Sequence, residues 1–140
     1  MSVYLDASVL VSLFVEDVFT ARADSFLRRL SEPVVVSDFA AAEFASSVAR
    51  KVRTRRLDEA EARVAFAAFD AWVAEGALRA ETGTADLAMA TSFLRRLDLT
   101  LRAPDAINIA VAVRLAAPLA TFDAAMKEAA ETLEAPIARI

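Results

Sequence analysis

The 140-residue chain contains no cysteine and no histidine, and only two glycines, one tryptophan and one tyrosine. Without cysteine there is no disulfide framework and no thiolate nucleophile. The double absence also excludes Ser-His-Asp and Cys-His nucleophiles, histidine-based ribonuclease chemistry and any ordinary zinc site. Gly76 and Gly83 alone cannot build a P-loop or a G-x-G-x-x-G phosphate cradle. Long apolar runs are missing as well: the longest uncharged stretches, such as 7–15, reach half of the ~18 residues that a membrane span needs. No basic leader precedes the first apolar run, so a signal peptide is not expected and a cytoplasmic protein is. Carboxylates, hydroxyls and arginine remain for chemistry.

What is present is small and acidic. Hydrophobic residues make up 57%, but 33 of them are alanines, which favour helices over bulk. The net charge of −4 and pI near 4.9 mean that any nucleic-acid contact must come from a local patch. The length suits a single domain over 1–140, and no linker, repeat or low-complexity tract divides it.

Three short apolar runs read as buried parallel strands: "SVYL" at 2–5, "PVVVS" at 33–37 and "PLATF" at 118–122. Weaker runs at 77–81 and 135–140 suit edge strands. Helices are expected over 7–15, 18–31, 38–56, 58–75, 84–97, 103–116 and 123–132. Gly76 is placed to cap a helix end, and Pro104 to start one. This alternation predicts an α/β three-layer sandwich, a five-stranded parallel sheet with helices on both faces.

Each of the three clear strands runs straight into an acid: Asp6, Asp38 and Asp123. In open parallel sheets, ligands bind at that carboxyl edge. Asp6 is the most conspicuous, because a carboxylate inside "SVYLDASVLVSLF" costs several kcal/mol unless it caps, binds or catalyses. Asp38 suits a helix start, where acids complement the dipole. Glu43 opens a polar stripe with Ser46, Ser47 and Arg50, opposite the apolar face of its helix. Asp105 and Asn108 are the polar points of the otherwise apolar "RAPDAINIAVAV".

Together, "VYLDASVLVSLF", "VVVSDFAAAEF", "LRAPDAINIAVA" and "LATFDAAM" resemble the PIN-domain family over essentially the whole chain. Within it, they resemble the VapC-type toxin ribonucleases of toxin–antitoxin pairs. The resemblance implies strand order 3-2-1-4-5 and a functional acid set of Asp6, Glu43, Asp105 and Asp123. Ser8 and Thr121 fall at hydroxyl positions beside the site, and Asn108 at a variable one. It further implies an RNA substrate, a cognate antitoxin and a homodimer.

An all-carboxylate pocket needs positive charge, because each pair repels by about 4 kcal/mol at 4 Å and an effective dielectric near 20. Mg²⁺ or Mn²⁺ fits such oxygen ligands. Asp6 and Asp105 are expected as principal ligands, with Asp123 and Glu43 completing the shell directly or through water. Such an ion activates water against a phosphodiester without histidine. The basic run "RKVRTRR" offers phosphate contacts, Arg50 and Arg53 among them. A haloacid-dehalogenase phosphatase would need a second Asp where Ser8 stands. A receiver domain would need one after the third strand. The remaining alternative is a non-catalytic module that docks an antitoxin or RNA.

Overall fold

The structure, a computed structural model, describes residues 1–140. In chain order it comprises β1 (Val3–Leu5), α1 (Ala7–Phe14), α2 (Thr20–Arg29), β2 (Val34–Ser37), α3 (Asp38–Arg53) and α4 (Glu59–Gly76). There follow β3 (Leu78–Ala80), α5 (Thr84–Leu94), α6 (Ala103–Arg114), β4 (Leu119–Ala120) and α7 (Ala124–Thr132). The four strands form one parallel sheet in the order β3-β2-β1-β4. The fifth position is reduced to a single parallel bridge between Leu119 and Ile137, held by Leu119 N–H to Pro136 and Ala138 N–H to Leu119. The outer edge is therefore shorter than the run 135–140 suggests.

Val3, Tyr4 and Leu5 are all buried although their side chains alternate between faces. Both faces of β1 are thus covered, as a central parallel strand requires. On one side α1, α3 and α4 pack together, with Phe14 edge-on to Phe44, Phe69 and Trp72 at 5.6–5.9 Å. Elsewhere α5 lies on α6 through Ala90, Ala106 and Ala110, small residues that permit close approach. Asp86 ties the same two helices: fully buried, it accepts both Nε and Nη2 of Arg114, at 2.6 and 3.0 Å. Burial alone would raise the Asp86 carboxyl, but Arg114 and the Gly83 N–H hold it below its ordinary value.

Polar side chains at strand ends start the helices. Asp6 caps α1 through Val9 N–H, Ser37 caps α3 through Ala40 N–H, and Asp123 caps α7 through Met126 N–H. A reciprocal pair, Asp58 with Glu61, caps α4. Helix ends depart from expectation. Gly76 is the last residue of α4 rather than a left-handed cap, since extended Ala77 leads straight into β3. Helices α3, α5 and α6 stop at Arg53, Leu94 and Arg114, earlier than the expected 56, 97 and 116. Just beyond them the chain turns left-handed at Arg55, Leu97 and Ala116, with φ of 58°, 66° and 50°.

Candidate functional site

Asp6 leaves the carboxyl end of the central strand β1 with only 2% of its surface exposed. Its Oδ1 accepts from Ser8 Oγ at 2.6 Å and Val9 N–H at 3.2 Å. Its Oδ2 accepts from Thr121 Oγ1 at 2.6 Å. Capping and site-building are therefore the same act: the atom that starts α1 also faces the carboxyl edge of the sheet. Burial raises the Asp6 carboxyl above its ordinary 3.8, against hydrogen bonds from Ser8, Thr121 and Val9 that lower it.

Glu43, on the second turn of α3, is half-buried and accepts from Asn108 Nδ2 at 2.5 Å through Oε1. Burial raises it above its ordinary 4.5, and the Asn108 amide offsets part of this. The negative charges of Asp6 and Asp105 push it further up, and the positive charge of Arg102 opposes them. Asp105 itself is 7% exposed and braces the start of α6, accepting from Arg102 N–H at 3.2 Å. Asp6 and Asp105, from two other elements, thus both lie within electrostatic reach of Glu43.

Asp123 stands one step away. Its Oδ1 is turned to Met126 N–H, while its own N–H donates to Thr121 Oγ1, the hydroxyl that holds Asp6. No three acidic side chains close on a single point as a ready metal cage. Arg50 and Arg53 lie outside the pocket, exposed and without ion pairs. They stand about 10 and 15 Å beyond Glu43 along α3, at 1.5 Å per residue. Asp38 has the structural place expected of it: it opens α3 and accepts from Thr82 N–H at 2.9 Å, and Thr82, first through its side chain and then through this N–H, holds the carboxyl low.

The support of Glu43 has no local signature in the sequence. Tyr4 donates its hydroxyl proton to Asn108 Oδ1 at 2.6 Å, so the Ser37 hydroxyl, 2.7 Å away, must donate to Tyr4. Asn108 in turn donates to Glu43 and to the Pro104 carbonyl. A directional chain, Ser37 to Tyr4 to Asn108 to Glu43, runs through the core and ends on the carboxylate. Burial drives the Tyr4 phenol far above its ordinary 10.0, so it stays a donor. The available signal was that the chain's only tyrosine lies two residues before Asp6, on the same side of an otherwise apolar strand.

The pocket's donors are carboxylates, hydroxyls and amide groups, a set that fits a hard divalent cation and not zinc. Arg102, the cation that bears on Glu43, leaves 79% of its side chain in solvent. Added positive charge is what the buried acids call for.

The family model for the PIN domain matches residues 3–132. A search of curated proteins finds no match. Among solved structures, the chain is similar to Mycobacterium tuberculosis VapC20, a sarcin–ricin loop cleaving toxin. That match has a TM-score of 0.74 at 19% identity, covering 91% of this chain and 94% of that one. It is also similar to FitAcB from Neisseria gonorrhoeae, with a TM-score of 0.71 at 21% identity over 99% and 97%. A third is VapBC2 from Rickettsia felis, solved bound to a promoter DNA fragment, with a TM-score of 0.65 at 13% identity over 88% of each chain. At these identities the likeness is one of fold.

Proposed function

The chain belongs to the PIN-domain family, and from that premise we propose that it is a metal-dependent endoribonuclease, the toxin of a toxin–antitoxin pair. One observation carries the reading: Asp6, buried at the carboxyl edge of the central strand, and Asp105, at the start of α6, both bear with their negative charge on the half-buried Glu43. A stable fold gains nothing from that repulsion, whereas a site for a cation and a phosphodiester requires it.

Asp6, Asp105 and Asp123 are the residues that would hold Mg²⁺ or Mn²⁺, and a bound ion would supply Lewis acidity and a more acidic water. Ser8 and Thr121 fix the Asp6 carboxylate so that it need not reorganise during reaction. Glu43 has one oxygen tied to Asn108 and the other without a hydrogen bond from the protein. Its raised proton affinity suits Oε2 to take the proton of the attacking water. Arg50 and Arg53 serve as outlying phosphate contacts that position RNA without reading it. A cognate antitoxin and a homodimer complete the proposal, in keeping with the resemblance to VapC-type proteins. No helix is long and apolar enough to cross a membrane.

The test is RNA cleavage by purified protein with Mg²⁺ or Mn²⁺. Chelator, Asp6→Asn and Asp105→Asn should each remove most activity while the protein stays folded. Undiminished cleavage in excess chelator would overturn the reading and leave the non-catalytic docking module.

A further inference from the structure

We propose that Phe19 and Phe122, with the cations around them, form a seat for one nucleotide of single-stranded RNA beside the Asp6 pocket. The proposal rests on the ribonuclease reading above and adds a binding subsite to it. The two rings are stacked, 4.6 Å between centroids and 12° from parallel, and both are partly exposed. Phe122 is built into the site: it lies between Thr121 and Asp123, and its N–H donates at 2.9 Å to the Ser8 hydroxyl that donates to Asp6. A base resting here has its phosphate next to the carboxylates.

The charge around the rings supports a nucleotide as occupant. The Arg22 guanidinium carbon lies 5.7 Å from the Phe19 centroid and 5.3 Å from that of Phe122. Nη2 of Arg22 donates to the Ile140 main-chain oxygen at 3.0 Å, which fixes the guanidinium beside the rings. Lys127 and Arg139 line the same cleft of about 390 Å³, facing a single acid, Asp123. None of the three cations is in an ion pair. Among the side chains lining the cleft, three cations outnumber the one carboxylate, in a chain of net charge −4. Bases stack on aromatic and guanidinium planes, and cations beside them meet the backbone phosphate. A protein segment would find better burial elsewhere, in the larger apolar cleft between α3 and α4 lined by Phe44, Phe66 and Phe69.

The experiment measures binding in the Asp6→Asn background, which separates it from cleavage. The probes are an oligoadenylate of about ten nucleotides, within the site sizes of single-strand binders, and an abasic ribose-phosphate chain of equal length. Phe19→Leu keeps the bulk and removes the π-face. It should weaken oligoadenylate binding about five- to 150-fold, as expected for one stacked base, and leave the abasic chain unchanged. Phe19→Trp should bind oligoadenylate as tightly as the parent. Lys127→Ala and Arg139→Ala, both at exposed positions, should each lower the salt slope for both probes by about 0.7 per lost contact. They also carry the test should Phe19→Leu fail to fold: unchanged slopes would then overturn the seat. Equal oligoadenylate affinity of Phe19→Leu and its parent would assign the cleft to a protein partner and overturn it too. Should that happen while the unmodified protein still cuts RNA with Mn²⁺, the ribonuclease reading survives. Absence of both RNA binding and cleavage would remove the two together.

Discussion

At the scale of single residues, the pocket depends on side chains that never meet a substrate. Asn108 is buried, and Tyr4 fixes which way its amide faces by donating to Oδ1, leaving Nδ2 for Glu43. Replacing Asn108 by Leu removes the acceptor of the Tyr4 proton, leaves that hydroxyl with Ser37 alone, and frees Glu43 to swing. Two effects should follow. Stability should fall by about 1–3 kcal/mol, the cost of a buried polar group left unmet. The turnover number should fall far more than KM rises, because Glu43 orients water rather than binding RNA. Tyr4→Phe is the milder change. It keeps the ring in the core, removes one donor, and should cost about 1 kcal/mol in urea unfolding with a smaller loss of turnover. An Asn108→Leu protein with normal turnover would show that the Ser37–Tyr4–Asn108 chain serves packing alone.

At the scale of elements, what was legible follows from which signals were local. The buried strands and the acids closing them stood out, because apolar runs ending in a carboxylate are legible without tertiary context. The helix ends were not, for a physical reason. After α3, α6 and α7 the chain reverses through left-handed residues that are not glycine: Arg55, Ala116 and Glu134. Each is closed by a bond back to the helix, from Arg56 N–H to Lys51, Ala117 N–H to Ala112 and Ala135 N–H to Ala130, at 2.8–3.0 Å. Glycine marks this motif in most sequences, and here it is missing. Alanine and arginine read as a continuing helix, so α3 and α6 seemed longer than they are. The same fact yields a prediction. Ala116 sits at φ 50°, where its Cβ costs about 1 kcal/mol relative to glycine. Ala116→Gly should therefore stabilise the protein slightly or leave it unchanged, although glycine inside a helix is destabilising. A clear drop in melting temperature would mean that the Ala116 methyl contributes packing that outweighs the strain. The Tyr4–Asn108–Glu43 chain was illegible for a different reason: its members lie 104 and 65 residues apart, and no local pattern joins them.

For the whole molecule, the acids of the pocket and those of the scaffold set opposite dependences on pH. Asp6 and Glu43 have raised folded-state pKa values, chiefly through burial. Their contribution to stability is full below the ordinary carboxylate range and is lost as pH rises through the raised values. Asp86 and Asp38 are depressed, Asp86 by Arg114 and Gly83 against its burial and Asp38 by Thr82. Their contribution is present above the ordinary range and is lost as pH falls through the depressed values. The metal-free protein should accordingly be most stable on the acid side of neutrality, where the pocket acids take up protons while Asp86 remains ionised. Asp6→Asn removes one arm of this balance. Asparagine can still accept from Ser8 and Val9 N–H as Asp6 does, so the cap on α1 survives and the buried charge goes. Its melting temperature at neutral pH should equal or exceed that of the unmodified protein, with less gain on acidification. Mn²⁺ should stabilise the unmodified protein at neutral pH by RT ln(1 + [L]/Kd), about 2.7 kcal/mol at a hundredfold excess over Kd, and Asp6→Asn far less. Melting curves of both proteins at neutral and mildly acid pH, with and without Mn²⁺, separate this from a purely structural Asp6. That alternative predicts a loss of roughly 1 kcal/mol on substitution, the same at both pH values and indifferent to metal. If Asp6→Asn melts lower and Mn²⁺ shifts both proteins equally, Asp6 is a helix cap and nothing more.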